Sequence, residues 1–494
     1  MSANYFDVVI VGAGFGGIGA AIQLHRLGYD NIVILEREDE LGGTWHVNRY
    51  PGLTVDCPST TYSYWFEPNP YWSRLYAPGP ELKKYAEHVV DKYDVRRVIR
   101  FNSNVEGARW DDETQLWRVA LSGGETLSAQ FLIAATGFLS QPRRPDIPGI
   151  ETFAGRVIHT AAWDDSYVLE GRAVGVIGTG STGVQVIPEL AKCVSELTVY
   201  QRTPIWVLPK IDFAFPSAVQ RLFARMPFTQ RLVRWFTDTT VDAVMVLAMW
   251  KYRHFKGLNI GASTLCAVHR FLSIRDKELR RKLTPDYDFG CKRPTMSNTY
   301  YRTFAKPHVR LVNCGIERIE PDGVVARDGS KRFIDTLVLA TGFDVWDVNL
   351  PALEVIGRDG RDLGKWWREN RFQAYEGVSV PYFPNFLTLA SPYAWVGLSW
   401  FNTVEYQMRH IARLLGEVQN RGARTFEVTE EANARFLDQM TELLDDSVFY
   451  LGNCVNSRSY WFNAAGEAPL FRPTSVSNAV KEQLRFPLSD YTLV

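Results

Sequence analysis

Two glycine-rich turns, each caught between a β-branched run and a helix-like run, restrict this 494-residue chain more than any other feature. The first follows Asp7-Val8-Val9-Ile10-Val11, reads Gly12-Ala13-Gly14-Phe15-Gly16-Gly17, and leads into Ala20-Ala21-Ile22-Gln23-Leu24. An unbroken β-branched run marks a strand buried on both faces. In a strand–GxGxxG–helix unit the first glycine permits the tight turn, the second lets the backbone approach a pyrophosphate, and the third permits close helix packing. The N–H groups at the helix start then face the anion. A second strand, Asn31 to Leu35, ends in Glu36, an acid placed to accept hydrogen bonds from a ribose. Strand, glycines and terminal acid together predict a dinucleotide site.

The unit recurs. Ala173 to Ile177 feeds Gly178-Thr179-Gly180-Ser181-Thr182-Gly183, and a helix follows through Val184-Gln185-Val186-Ile187. Glu36 stands 24 positions after Gly12, and the same step from Gly178 reaches Arg202, with Thr203 beside it. An acid repels a ribose 2′-phosphate, whereas Arg binds it through a planar fork. The first site is therefore expected to take FAD or NAD and the second NADP(H). The bland alternative for Arg202 is a solvated charge at a strand end.

Two buried-strand patterns, Phe131 to Gly137 and Leu337 to Gly342, both end in Ala-Thr-Gly and mark chain crossings between domains. The expected fold is α/β with two Rossmann-like dinucleotide-binding domains. Residues 1–150 form the first part of the FAD domain. Residues 151–342 form the NADP domain, with a helical insert at 211–290. Residues 343–494 complete the FAD domain and supply a substrate-side C-terminal region. Between 221 and 282 stand thirteen bases and four acids, a local excess of +9, near Trp235, Phe236, Met245, Leu247 and Trp250. Solvated charges over an ordinary helical core are the preferred reading, with weak membrane-surface contact as the alternative. Aromatics near the end (Trp395, Trp400, Phe401, Tyr460, Trp461, Phe462) suit core packing, and some suit a pocket for an apolar substrate.

Lys+Arg and Asp+Glu tie at 55 each, which leaves no overall field to draw nucleic acid. Six scattered cysteines suggest neither a metal site nor a disulfide framework, and reduced thiols in a cytoplasmic protein are expected. Residues 1–7 carry no basic stretch, Val8 to Val11 is too short for a signal peptide, and Ala243 to Trp250 is too short to span a bilayer. Oligomeric state is not legible.

Phe153-Ala154-Gly155-Arg156-Val157-Ile158-His159-Thr160-Ala161-Ala162-Trp163-Asp164, just before the second glycine turn, resembles the FxGxxxHxxxW(P/D) fingerprint of type I Baeyer–Villiger monooxygenases. Gly42-Gly43-Thr44-Trp45, with Tyr50-Pro51-Gly52 and Asp56 beyond it, resembles that family's second signature. The resemblance implies tightly held FAD and NADPH as hydride donor. It also implies O2 captured as a flavin C4a-peroxide, which attacks a small apolar ketone and gives an ester or lactone. It further implies that Lys292 of Lys292-Arg293-Pro294 reaches the NADP 2′-phosphate with Arg202 and Thr203. Arg293 is then catalytic, Asp56 orients it, and Gly43, Thr44, Trp45 and Thr136 lie with the FAD contacts. A guanidinium that never titrates suits the stabilisation of peroxide and tetrahedral-adduct charge. The structural alternatives are a plain Arg293–Asp56 ion pair, and a His159 that orders the interdomain linker. Three rival functions remain. They are flavin-containing oxygenation of amines or sulfides, a flavoprotein reductase disfavoured because Cys57 stands alone, and a non-enzymatic membrane-surface protein.

Overall fold

The computed structural model describes residues 4–494; part of the reading of residues 1–7 therefore lies outside the described residues. Val8, Val9 and Ile10 have no solvent exposure. Their strand, Tyr5–Val11, sits between two parallel neighbours, Ile32–Leu35 and Thr126–Ala134. Burial on both faces is what the unbroken run of branched residues requires. Beyond Thr126–Ala134 the sheet turns antiparallel through Leu116–Leu121 and Val105–Asp111. There Trp117, Val119 and Leu121 are buried on alternate positions and their neighbours are half-exposed. Two strands from after residue 342 join the same sheet: Glu354–Ile356 at its edge, and Phe386–Thr388 beside Leu132 to Ala134.

The second sheet has five strands, all parallel, in the order Val309–Val312, Glu196–Tyr200, Ala173–Ile177, Thr336–Leu339, Arg156–His159. The two passages between the sheets lie side by side. Pro142 and Phe343 form an antiparallel bridge, the Arg143 N–H donates to Gly342 O at 2.9 Å, and the Asp344 N–H donates to Gln141 O at 2.9 Å.

Within 211–290 the chain forms helices Ser217–Arg225, Pro227–Met245, Tyr252–Ser273 and Lys277–Lys282, with a π-helical turn at Val246–Trp250. The π-helical turn sends Met249 and Trp250 into the core. Trp235 and Phe236 overturn the ordinary-core reading, for they stand 63% and 65% exposed. The helix turns its polar side inward instead: Gln230 Nε2 donates to Asn69 O at 2.6 Å and Arg234 Nη1 to Ser63 O at 2.9 Å.

The last lobe packs its longest helix, Trp400–Arg421, on Phe15–Arg26 of the first nucleotide unit. The Ser399 hydroxyl caps it by accepting the Phe401 N–H, and Gly422, at φ +64°, ends it.

The cysteine reading needs correction. Cys291 and Cys454 form a disulfide across 163 positions, with their Cα atoms 5.1 Å apart; Cys57, Cys193, Cys266 and Cys314 are free. Spacing along the chain carries no sign of such a pair, because tertiary folding alone brings the two loops together. Intact disulfides are rare in a cytosol, so the bond removes the ground on which reduced thiols pointed to that compartment. No helix among the described residues is long and apolar enough to cross a membrane.

Candidate active site

At the first glycine turn, Gly12 holds φ +105°, and a Cβ there would meet Ala135 O at 2.8 Å. A Cβ on Gly17 would stand 1.9 Å from Gly12 O, which is why the helix can start so close to the strand. The Gly42-Gly43-Thr44-Trp45 segment crosses over this turn. Gly42 donates its N–H to Ala13 O at 2.9 Å, and a Cβ on Gly43 would lie 3.0 Å from Gly14 Cα. Two backbones thus approach with no side chain between them, a cradle that fits a pyrophosphate. Glu36 is buried at one end of it, accepting the Ala13 N–H at 2.7 Å and the Glu38 N–H at 3.1 Å. Thr136 lies half-buried beside Gly12, and Trp45 donates its indole N–H to Tyr62 Oη at 3.2 Å.

The second turn repeats the geometry. Gly178 holds φ +110° against Ala340 O, 2.3 Å from where its Cβ would be, and a Cβ on Gly183 would lie 2.5 Å from Gly178 O. A Cβ on Gly180 would meet nothing within 4 Å, and Ser181 and Thr182 open the helix Ser181–Leu190 there. Thr203 is buried, its carbonyl accepting the Thr179 hydroxyl at 3.3 Å. Arg202 is exposed. Partial burial and the charges of Arg458 and Arg143 pull its guanidinium below the ordinary value. Burial and the charge of Arg202 push the Lys292 ammonium down to about 8. Among the described residues none of these four cations has a carboxylate within salt-bridge distance. Unpaired cations crowded together repel one another unless an anion joins them, and a phosphate fits that requirement. Arg143 and Arg458 were missed in the sequence, for they stand in loops with no motif around them.

Arg293 and Asp56, 237 positions apart, meet as a bidentate pair: Nε donates to Oδ2 at 2.8 Å and Nη2 to Oδ1 at 2.7 Å. Burial works against the Arg293 charge, but the Asp56 carboxylate, with Tyr460 and Cys57, holds its pKa well above the ordinary value. Its guanidinium carbon lies 5.4 Å from the centre of the Trp395 ring. Trp395 stacks with Phe138 at 5.8 Å, and Trp400 meets both edgewise. Of the C-terminal aromatics, Phe401 and Trp461 are buried in the core, while Trp395, Trp400, Tyr460 and Phe462 are half-buried. The disulfide at Cys291 fixes the segment carrying Lys292 and Arg293 to the last lobe.

Two other residues sit at the seam between the sheets. His159 accepts the Ala161 N–H at Nδ1 and lies 3.3 Å from the Thr341 hydroxyl at Nε2, and burial lowers its pKa. It joins the linker to the second Ala-Thr-Gly crossing. Gln185 takes the Tyr50 hydroxyl at 2.9 Å and donates to Thr54 O at 3.0 Å, bonds that reach from one nucleotide unit to the other. Trp163 packs in the core of the second sheet.

Residues 9–224 match a family model described as pyridine nucleotide-disulphide oxidoreductase. Cys57, however, is a buried free thiol with no partner cysteine for disulfide exchange. A Baeyer-Villiger monooxygenase of Streptomyces coelicolor is 36% identical over 99% of this chain and 93% of its own length. A Baeyer-Villiger monooxygenase of Pseudomonas aeruginosa is 35% identical over 92% of this chain and 85% of its own. Among solved structures, a closed form of cyclohexanone monooxygenase superposes with a TM-score of 0.87, at 31% identity and full coverage of both chains. An oxidised steroid monooxygenase bound to NADP gives 0.87 at 29% identity over 99% of each chain. The chain belongs to the Baeyer–Villiger monooxygenases, FAD- and NADPH-dependent flavoproteins that use O2 to turn ketones into esters or lactones.

Proposed function

We propose that this chain carries out the family reaction with Arg293 as its catalytic residue and Asp56 as the positioning residue that aims it. FAD, when bound and reduced by NADPH, supplies an oxygen atom from O2. What the protein must add is a fixed positive charge where negative charge develops on the reacting oxygens. The observation that carries the reading is the two-point Asp56–Arg293 pair beside the Trp395 ring. Both carboxylate oxygens are engaged by Nε and Nη2, which sets the plane of the guanidinium and leaves Nη1 free to donate elsewhere. A guanidinium cannot act as an acid at working pH, so it offers charge without protonating what it stabilises. The half-buried faces of Trp395 and Trp400, with Phe138, suit an apolar ketone and help to exclude water.

The pyrophosphates belong to the two glycine cradles. Gly12, Gly14, Gly17, Glu36, Gly43, Thr44, Trp45 and Thr136 serve FAD; Gly178, Gly180, Ser181, Thr182 and Gly183 serve NADPH. Arg202, Thr203 and Lys292 take the 2′-phosphate, with Arg143 and Arg458 adding charge. Gln185 acts at the contact between the units.

Arg293→Ala tests the assignment. Removing one pre-organised donor to a developing oxyanion costs about 2.7–4 kcal/mol, a factor of about 10²–10³ in rate. Ester formed per NADPH consumed should collapse while flavin reduction by NADPH persists. Asp56→Ala should lower the same ratio less, because the guanidinium remains but is no longer aimed. A wild-type ester yield from Arg293→Ala would overturn the role. Products confined to sulfoxides or N-oxides, from a mixed panel of ketones, sulfides and amines, would favour heteroatom chemistry.

A further inference from the structure

Helices Pro227–Met245 and Tyr252–Ser273 are inside out. On the first, Gln230, Arg234 and Asp238 recur every four residues toward the protein, while Phe228, Leu232, Trp235 and Phe236 recur on the opposite side, toward solvent. On the second, the buried residues are Tyr252 and Cys266 together with the polar Asn259 and Arg270, and Asn259 Nδ2 donates to Phe289 O at 2.6 Å. Leu258, Leu265, Val268 and Leu272 face out, Leu272 with 78% exposure. A helix on a water-facing surface shows the opposite arrangement, apolar stripe inward and polar stripe outward. Of the 27 large apolar side chains exposed among the described residues, 17 lie between Ile211 and Leu272. Single exposed apolar residues need no explanation, but a concentration of this kind marks a surface made to be covered.

Charge identifies the cover. Between Phe213 and Arg275 the sequence has two acids, Asp238 and Asp242, and both are turned to the protein. Asp238 pairs with Arg234 at 3.3 Å, and Asp242 accepts the Val476 N–H at 3.0 Å. Arg221, Arg225, Arg231 and Lys256 are exposed with no carboxylate in salt-bridge range among the described residues. The outward face is therefore apolar with interspersed cations and no exposed anion. A second copy of the chain would bring the same cations against these and repel. An anionic lipid surface neutralises them and accepts the aromatic and aliphatic side chains into the boundary between headgroups and acyl chains. The polar inner sides of the helices, bonded to the rest of the protein, exclude insertion across the bilayer.

We propose that the outer face of the insert, from Ser217 to Ser273, docks this protein on the interface of an anionic phospholipid bilayer, lying on the membrane without crossing it.

The full-length, FAD-loaded protein tests this by co-sedimentation with vesicles of phosphatidylglycerol and phosphatidylcholine, beside vesicles of phosphatidylcholine alone. The wild type should pellet with the anionic vesicles, and about tenfold less with the neutral ones. Salt near 0.5 M, which shortens screening to a few ångströms, should release most of it. Trp235→Ser with Phe236→Ser should lose anionic-vesicle binding about tenfold, as should Arg221→Glu with Arg225→Glu, each with flavin content and ketone oxygenation unchanged. Wild type that stays in the supernatant, or variants that pellet as well as wild type, would overturn the proposal. So would concentration-dependent dimers, seen without vesicles and abolished by the Trp235/Phe236 change, because the face would then belong to a second copy.

Discussion

The two glycine turns share a backbone and part company in what surrounds it. Each first glycine lies against the alanine carbonyl of an Ala-Thr-Gly, Ala135 in one and Ala340 in the other, and each third glycine crowds the carbonyl of the first. The second glycines differ: Gly14 is covered by Gly43, whereas Gly180 has open space around it. The charges differ too, a buried carboxylate at Glu36 against an exposed guanidinium at Arg202 among three further cations. The shared part is steric and serves any pyrophosphate. The differing part fits two kinds of tenancy: a group closed over by a second loop is retained through many turnovers, and one held in an open cradle can enter and leave.

The largest effects should come from the shared part, and they should fall on different ligands. Gly17→Ala puts a Cβ 1.9 Å from Gly12 O, a clash with backbone that no rotamer relieves. Overpacking of this kind costs about 1–3 kcal/mol or more. The variant should be colourless, or yellow only in excess FAD. Gly183→Ala, at 2.5 Å from Gly178 O, should keep its flavin through gel filtration and lose NADPH affinity. Bound-flavin absorbance per protein, with KM for NADPH, decides the matter. Equal flavin loss in both variants would mean that the two cradles do not act separately.

The cradles were legible in the sequence because their constraints are local: a turn, a close approach and a packing contact all fall within six residues. Asp56 and Arg293 came only through the family resemblance, since no local rule links positions 237 apart. The Cys291–Cys454 bond lay beyond reach for the same reason. Arg143 and Arg458 come from loops, where side-chain direction depends on tertiary packing. The insert misled in a different way. Its sequence predicts solvated charges over an ordinary helical core, but which side turned inward was set by distant carbonyls, Asn69 O and Ser63 O, that accept from Gln230 and Arg234.

Next in size is the charge difference itself. If Arg202 holds the 2′-phosphate as proposed, Arg202→Ala should remove charge-assisted bonds to that group alone, a loss of about 1.5–3 kcal/mol, or about 10- to 150-fold in KM for NADPH. KM for NADH should change little. An equal rise for both cofactors would place Arg202 elsewhere and remove the contrast with Glu36.

The smallest effect is a pH dependence confined to the second cradle. Lys292, its pKa pushed down to about 8 by burial and by Arg202, is an ammonium below that pH and an amine above it. The charged form binds a phosphate dianion better, so kcat/KM for NADPH should bend downward as pH rises through about 8. The drop should be modest, about 1 kcal/mol or roughly fivefold, because the amine can still donate a neutral hydrogen bond. kcat/KM reports the free enzyme, whereas a bound phosphate favours the ammonium and raises its pKa; kcat at saturating NADPH should therefore lack the bend. With NADH the bend should be absent from both profiles. Arg202→Ala removes the neighbouring positive charge, and the NADPH bend should move to higher pH. Lys292→Arg should abolish it, since a guanidinium does not titrate in this range. A bend that persists in Lys292→Arg, or that appears equally with NADH, belongs to another group. A bend that stays in place in Arg202→Ala would mean that Arg202 does not press on Lys292, and the cluster that separates this cradle from the first would lose its centre.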